Sequence, residues 1–172
     1  SNADAKVLFT TRALFERLTL ESSAQLTVIL LDDNEPETWS KQIKAYSPLP
    51  IADECEGAEM IYSSGTTGQP KGVRFEITGQ PLGTVSPLIQ KRIDLHQVDA
   101  TCRYLSTAPL YHSAPLRYNL LVSRLGGTSI IMKKFDAEAA LRLIQDERIT
   151  HSQWVPTMFV RLLALAPEVR GE

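Results

Sequence analysis

Cysteine is scarce in this chain: Cys55 and Cys102 are the two present among 172 residues. Two thiols cannot make the multi-bridge framework of a small secreted scaffold, so a hydrophobic core must hold the fold, and a reduced, cytoplasmic setting is expected. No charge of one sign dominates, with 18 Lys and Arg against 20 Asp and Glu and a formal net charge of −2. That balance leaves no basic footprint for a nucleic-acid backbone or an anionic membrane surface, so nucleic acid is not an expected partner. Long apolar runs are missing too: stretches such as Val28-Ile29-Leu30-Leu31 fall far short of the ~20 residues a spanning helix needs. No signal peptide, transmembrane segment, internal repeat or low-complexity tract is expected.

What is present is globular composition, 43% hydrophobic and 22% charged, which excludes a disordered or collagenous chain. A chain this long buries roughly 70% of its unfolded surface, enough for one core with room for a second small lobe. Ser1-Asn2-Ala3 reads as the scar of a cleaved affinity tag and is set aside.

Short β-branched and aromatic runs alternate with amphipathic stretches. The pattern predicts strands over residues 7–10, 27–31, 58–62, 73–77, 102–108, 128–132 and 150–155. A helix is expected after the first strand, with Leu14, Phe15 and Leu18 aligned, and others over 39–46, 88–95 and 116–125, the last stopped by Gly126-Gly127. Asp136 is placed to cap a helix whose apolar face is Ala137, Ala140, Leu141 and Ile144. Pro156-Thr157 opens a final helix with Met158, Leu162 and Leu165 in line. Residues 78–87 are rich in Gly and Pro and read as irregular. Residues 48–59, carrying Asp53, Glu54, Glu56 and Glu59, read as a solvated acidic loop rather than a metal site. Strands apolar on both faces and separated by helices predict an α/β fold, a mostly parallel sheet with helices on both faces.

The chemistry-bearing segment is residues 63–72, expected as an exposed loop with three glycines, four hydroxyls and one lysine. Gly65, Gly68 and Gly72 allow close backbone approach to an anion. Ser63, Ser64, Thr66 and Thr67 can donate to phosphate oxygens, and Lys71 adds a compact positive charge. A Walker A loop is rejected, because Pro70 precedes Lys71, Gly72 follows it, and a strand rather than a helix comes next. A plain hairpin turn needs only about two to five residues. Residues 63–72 therefore hold more than a turn requires.

The run Tyr62-Ser-Ser-Gly-Thr-Thr-Gly-Gln-Pro-Lys-Gly-Val73 resembles the core signature of the adenylate-forming (AMP-binding) enzymes: acyl-CoA synthetases, firefly-luciferase-like enzymes and peptide-synthetase adenylation domains. At ordinary residue frequencies a chance match at its fixed positions has odds of about 1 in 10⁸. Ala108-Pro109-Leu110-Tyr111-His112 is similar to a second family landmark, where a strand ends beside the carboxylate substrate, and Trp154-Val155-Pro156-Thr157 to a strand-to-helix junction near the acyl pocket. The run Tyr111-His-Ser-Ala-Pro-Leu-Arg117 looks closest to bacterial fatty-acyl-CoA ligases. The resemblance implies the large-domain fold of that family and an AMP-forming acid–thiol ligase. Such an enzyme activates a carboxylic acid, here a fatty acid, with ATP and Mg²⁺ and passes the acyl group to CoA. It implies ATP-phosphate contacts from Ser63, Ser64, Gly65, Thr66, Thr67, Gly68, Lys71 and Gly72, a carboxylate-site role for His112, and no metal ligand within the chain.

Departures from the family pattern are also visible. A His and Asn that open a helix normally follow the loop, and Phe75-Glu76-Ile77-Thr78-Gly79-Gln80-Pro81 stands there instead. The Tyr-Gly-x-Thr-Glu and Thr-Gly-Asp motifs, and the lysine of the C-terminal lid, do not occur in the sequence. The expectation is therefore a central piece of the large domain over residues 4–172, truncated at both ends, inactive alone and prone to self-association. Two alternatives stay open: a short nucleotide-binding or interaction protein without catalysis, and part of a peptide-synthetase-type adenylation domain.

Overall fold

A computed structural model describes residues 4–18, 26–32, 39–63 and 70–171. The chain divides into two compact units, residues 1–79 and 80–172.

The first unit holds β1 (Val7–Thr10), α1 (Arg12–Phe15), β2 (Thr27–Leu30), α2 (Trp39–Gln42), β3 (Ile61–Ser63) and β4 (Lys71–Val73). β1 and β2 pair in parallel, with Val7 opposite Thr27 and Thr10 opposite Leu30. Thr11 caps α1 by accepting from the Leu14 amide, and the Asp32 carboxylate beyond β2 accepts from the Arg12 amide at 2.5 Å. These two contacts satisfy donors that the first turn leaves unpaired. Of the residues expected in line on this helix, Leu14 is exposed, and Leu18 lies beyond its end, since α1 closes at Phe15 after one turn. Phe9 and Trp39 meet edge to face at 5.4 Å. β3 and β4 form an antiparallel pair. The expected strands over 58–62 and 73–77 are therefore shorter and shifted: β3 begins at Ile61 and the ladder ends at its partner Val73. The acidic stretch 48–58 is irregular and largely exposed, as its charge predicts.

The second unit is built on three parallel strands in the order β6-β5-β7, where β5 is Arg103–Ser106, β6 is Thr128–Ile131 and β7 is His151–Gln153. Around them lie α3 (Pro87–His96), α4 (Ser113–Arg124), α5 (Ala137–Asp146), α6 (Pro156–Leu163) and α7 (Pro167–Arg170). The α/β class and the parallel pairing follow the sequence pattern, but the described strands fall into three small sheets rather than one.

Helices cover both faces of the β5-centred sheet. Tyr104 and Ser106 point to one face, where Tyr118 of α4 stacks on Tyr104 at 4.5 Å and Asn119 donates to the Ser106 hydroxyl at 2.9 Å. Val98, Cys102, Leu121 and Val122 complete this core, with Ile89 and Ile93 of α3 packed against it. The opposite face carries Arg103, which pairs with Glu147 after α5 at 2.5 Å, and Thr107, whose hydroxyl lies 3.5 Å from the Met158 sulfur of α6. Gly126, at φ +81°, turns the chain out of α4, and a Cβ on Gly127 would sit 2.9 Å from the Cys102 carbonyl oxygen. The helix stop therefore needs both glycines, for two different reasons. Asp136 caps α5 through the Ala139 amide at 2.9 Å, and Ala137 and Ala140 are buried on the expected face.

Candidate functional site

The phosphate-loop candidate is carried by the β3–β4 hairpin. Ser63 stands opposite Lys71 and Tyr62 opposite Gly72, so the two strands clamp the ends of the intervening segment. The Ser63 hydroxyl donates to the Lys71 carbonyl oxygen at 3.5 Å, and both residues are exposed. Ser63, Lys71 and Gly72 thus belong to strands rather than to a ten-residue loop. A side chain on Gly72 would run into the Met60 methyl and lie 3.3 Å from the Tyr62 ring, so its missing Cβ makes room for these neighbours. Ser64, Gly65, Thr66, Thr67 and Gly68 lie outside the described residues. The segment passes directly into a strand at Lys71, which a Walker A loop does not do.

The second unit brings a different set of candidates together. The β5–α4 and β7–α6 connections leave neighbouring parallel strands for opposite faces of the sheet, as the Tyr104–Tyr118 and Thr107–Met158 contacts show. That is a topological switch point, and in open α/β sheets ligands bind in the crevice outside the carboxyl ends of such strands. Both sequence landmarks flank it: residues 108–112 follow β5, and residues 154–157 follow β7. His112 is exposed at the N-cap of α4, with extended backbone at φ −86° and ψ 145° and its ring 4.6 Å from that of Tyr111. Its side chain makes no capping bond to the helix, which leaves the imidazole directed away from that task. α4 starts at Ser113, three residues before the expected 116, because a proline is tolerated in a first helical turn and Pro115 lies there.

A cavity of about 210 Å³ opens beside this junction, between α3, the first turns of α4 and the end of β7. Arg92, His96, Ser113, Arg117, Tyr118 and Gln153 supply its polar lining. The wall formed by α3 is fixed in place: the His151 Nε2–H donates to the His96 carbonyl oxygen at 2.9 Å, and the His96 ring meets Tyr118 edge to face at 5.6 Å. Sequence reasoning did not find Arg92, His96, Arg117 or Gln153 as site residues. The i, i+4 spacing of Arg92 and His96 marks a shared helical face, but nothing local says what that face meets.

One Cys–His contact invites a nucleophile and fails as one. The Cys102 sulfur is 3.4 Å from His151 Nδ1. Yet the thiol is buried, and burial pushes its pKa up, against the lowering an activated cysteine needs. Both cysteines are free thiols. Among the described residues no three His, Cys, Asp or Glu side chains converge on a point. No helix among them is long and apolar enough to cross a membrane.

Against known families, the description "AMP-binding enzyme" matches residues 1–172. The chain belongs to the AMP-binding enzyme family. Within it, 4-hydroxybutyrate–CoA ligase 2 of Metallosphaera sedula is 30% identical over 161 residues, covering 84% of this chain and 28% of that ligase. This AMP-binding chain thus spans under a third of that relative's length. Its fold is that of ATP-bound MatB from Rhodopseudomonas palustris, with a TM-score of 0.69 at 22% identity over 96% of this chain and 33% of that one. It also matches O-succinylbenzoate coenzyme A synthetase (MenE) from Bacillus subtilis in complex with ATP and magnesium, with a TM-score of 0.66 at 22% identity, over 95% of this chain and 32% of that one.

Proposed function

We propose that this chain is a central part of an AMP-forming acyl-CoA synthetase. In the first half-reaction a carboxylate oxygen attacks the α-phosphorus of ATP, the bond to the bridging oxygen breaks, and pyrophosphate leaves. In the second, the thiol sulfur of CoA attacks the acyl carbonyl and AMP leaves. Supporting this reading is the family signature on a hairpin that clamps its ends, with Lys71 exposed at one of them. In this reading Ser63, Ser64, Gly65, Thr66, Thr67, Gly68, Lys71 and Gly72 hold the β- and γ-phosphates, and the lysine charge offsets the charge that builds on pyrophosphate. His112 shapes the site of the carboxylate at the α4 N-cap. Mg²⁺, when bound, neutralises further phosphate charge, through ligands beyond the described residues.

The partners are a small carboxylic acid, ATP and CoA, and the setting is the cytoplasm. The resemblance of residues 111–117 points to a fatty acyl group and the Metallosphaera relative is named for a hydroxy acid, and the cavity beside α4 decides below against an unbroken apolar tail. Residues 4–172 form one partial adenylation domain, inactive alone because positioning of both substrates, worth roughly 7–11 kcal/mol, needs groups that this sequence lacks. The test is pyrophosphate release with ATP, Mg²⁺ and a panel of fatty, hydroxy and aromatic acids, run on this chain and on the longer protein containing it. Turnover is expected only in the longer protein, falling at least tenfold in Lys71→Met. Equal turnover by the chain alone overturns the partial-domain reading, and turnover by neither overturns the ligase reading.

A further inference from the structure

We infer that the cavity between α3 and α4 takes an anionic group at the far end of the acid, so that the substrates are short dicarboxylic acids rather than acids with an unbroken apolar tail. This rests on the synthetase reading above. The cavity opens at the carboxyl end of β7, and its lining begins on α4 at Ser113, the residue after His112.

The lining decides what that remainder can be. Arg92 and Arg117 line the cavity, His96 and Gln153 add polar groups beside the apolar Ala114 and Leu121, and among the described residues no Asp or Glu belongs to the wall. A hydrocarbon tail would press against two guanidinium groups and strip their water without replacing it, which is costly. A carboxylate reverses the sign, because the planar guanidinium fork matches it with two charge-assisted hydrogen bonds. Asp94, the nearest acid on α3, takes the Gln90 amide at 2.8 Å and does not line the cavity. At about 210 Å³ the space is below the roughly 300 Å³ at which drug-sized ligand sites begin. It suits a few heavy atoms rather than a long chain.

The phosphates of CoA are anions too, so the test separates them from the acid. In the longer protein, kcat/KM is measured for the pairs pentanoate and glutarate, hexanoate and adipate. The expected result is a diacid preference of at least tenfold. Arg92→Met and Arg117→Met should each collapse that ratio by tenfold or more, with Arg92→Lys restoring part of it. Glutarate, and not pentanoate, should shift the amide resonances of α3 and α4 when titrated into this chain. Equal use of both acids, a ratio unmoved in the Met variants, or a rise confined to the KM for CoA overturns the inference. Turnover without diacid preference sinks this inference and spares the ligase reading. Absence of turnover with any acid, while glutarate still shifts α4, does the opposite.

Discussion

Tyr104 is 1% exposed on the central strand, and burial pushes its phenol up to about 12 from the ordinary 10.0, with the Ser106 hydrogen bond working the other way. The phenolate is the form the fold disfavours. A group with a folded-state pKa above its unfolded value stabilises fully below the unfolded pKa and loses that contribution as pH rises through the folded one. The window is therefore about pH 10 to 12, and a two-unit difference corresponds to about 2.7 kcal/mol. Tyr104→Phe keeps the ring stacked on Tyr118 and removes the ionisation. Urea denaturation across that window should show the native protein losing stability more steeply than the Phe variant. Tyr118 and Cys102, also raised by burial, titrate in both proteins, so only their repulsion of the Tyr104 phenolate enters the difference. Parallel curves would contradict a buried, neutral phenol.

The helices differ in how plainly they announce themselves. Asp136 was legible because a carboxylate directly before an apolar 3.6-residue repeat has one common use, and it does accept from Ala139. Asp136→Ala should cost about 1 kcal/mol in denaturant unfolding, and Asp136→Asn much less, since both Asp and Asn cap well. A loss equal in the two variants would show that the charge, not the cap, matters. The exposed Arg142–Glu138 pair one turn later adds little, as screened surface pairs do. Elsewhere local pattern misled. The period-two run through Val73, Phe75 and Ile77 looks like a strand, but the β3–β4 ladder ends at Val73, where β3 begins at Ile61. The helix expected over 116–125 starts instead at Ser113, with Pro115 in its first turn. At the sites, hydroxyls and glycines packed into residues 63–72 mark themselves in sequence. The cavity does not, because Arg92 and Arg117 are 25 positions apart (117 − 92) and share a wall only through the packing of α3 on α4.

For the whole molecule, the balance of buried and exposed apolar surface sets its behaviour in solution. α6 turns Met158 inward at 8% exposure, while Phe159, Val160 and Leu163 on its other side are 52%, 66% and 68% exposed. Three large apolar side chains within five positions of one helix form a patch of the kind that monomeric proteins keep small. Among the described residues β6 and β7 are also the two edges of their sheet, and Ile131 on β6 is exposed. Unpaired edges recruit other chains by backbone hydrogen bonding, and apolar helix faces do so without direction. This chain should therefore self-associate, with a sedimentation-equilibrium mass that rises with protein concentration. The two causes separate by substitution. Phe159→Glu with Leu163→Lys removes the helix patch and leaves every strand edge in place, so it should return the mass to that of a monomer if the patch dominates. Growth that persists in this double variant assigns the association to the strand edges, and a native chain that stays monomeric at millimolar concentration refutes both.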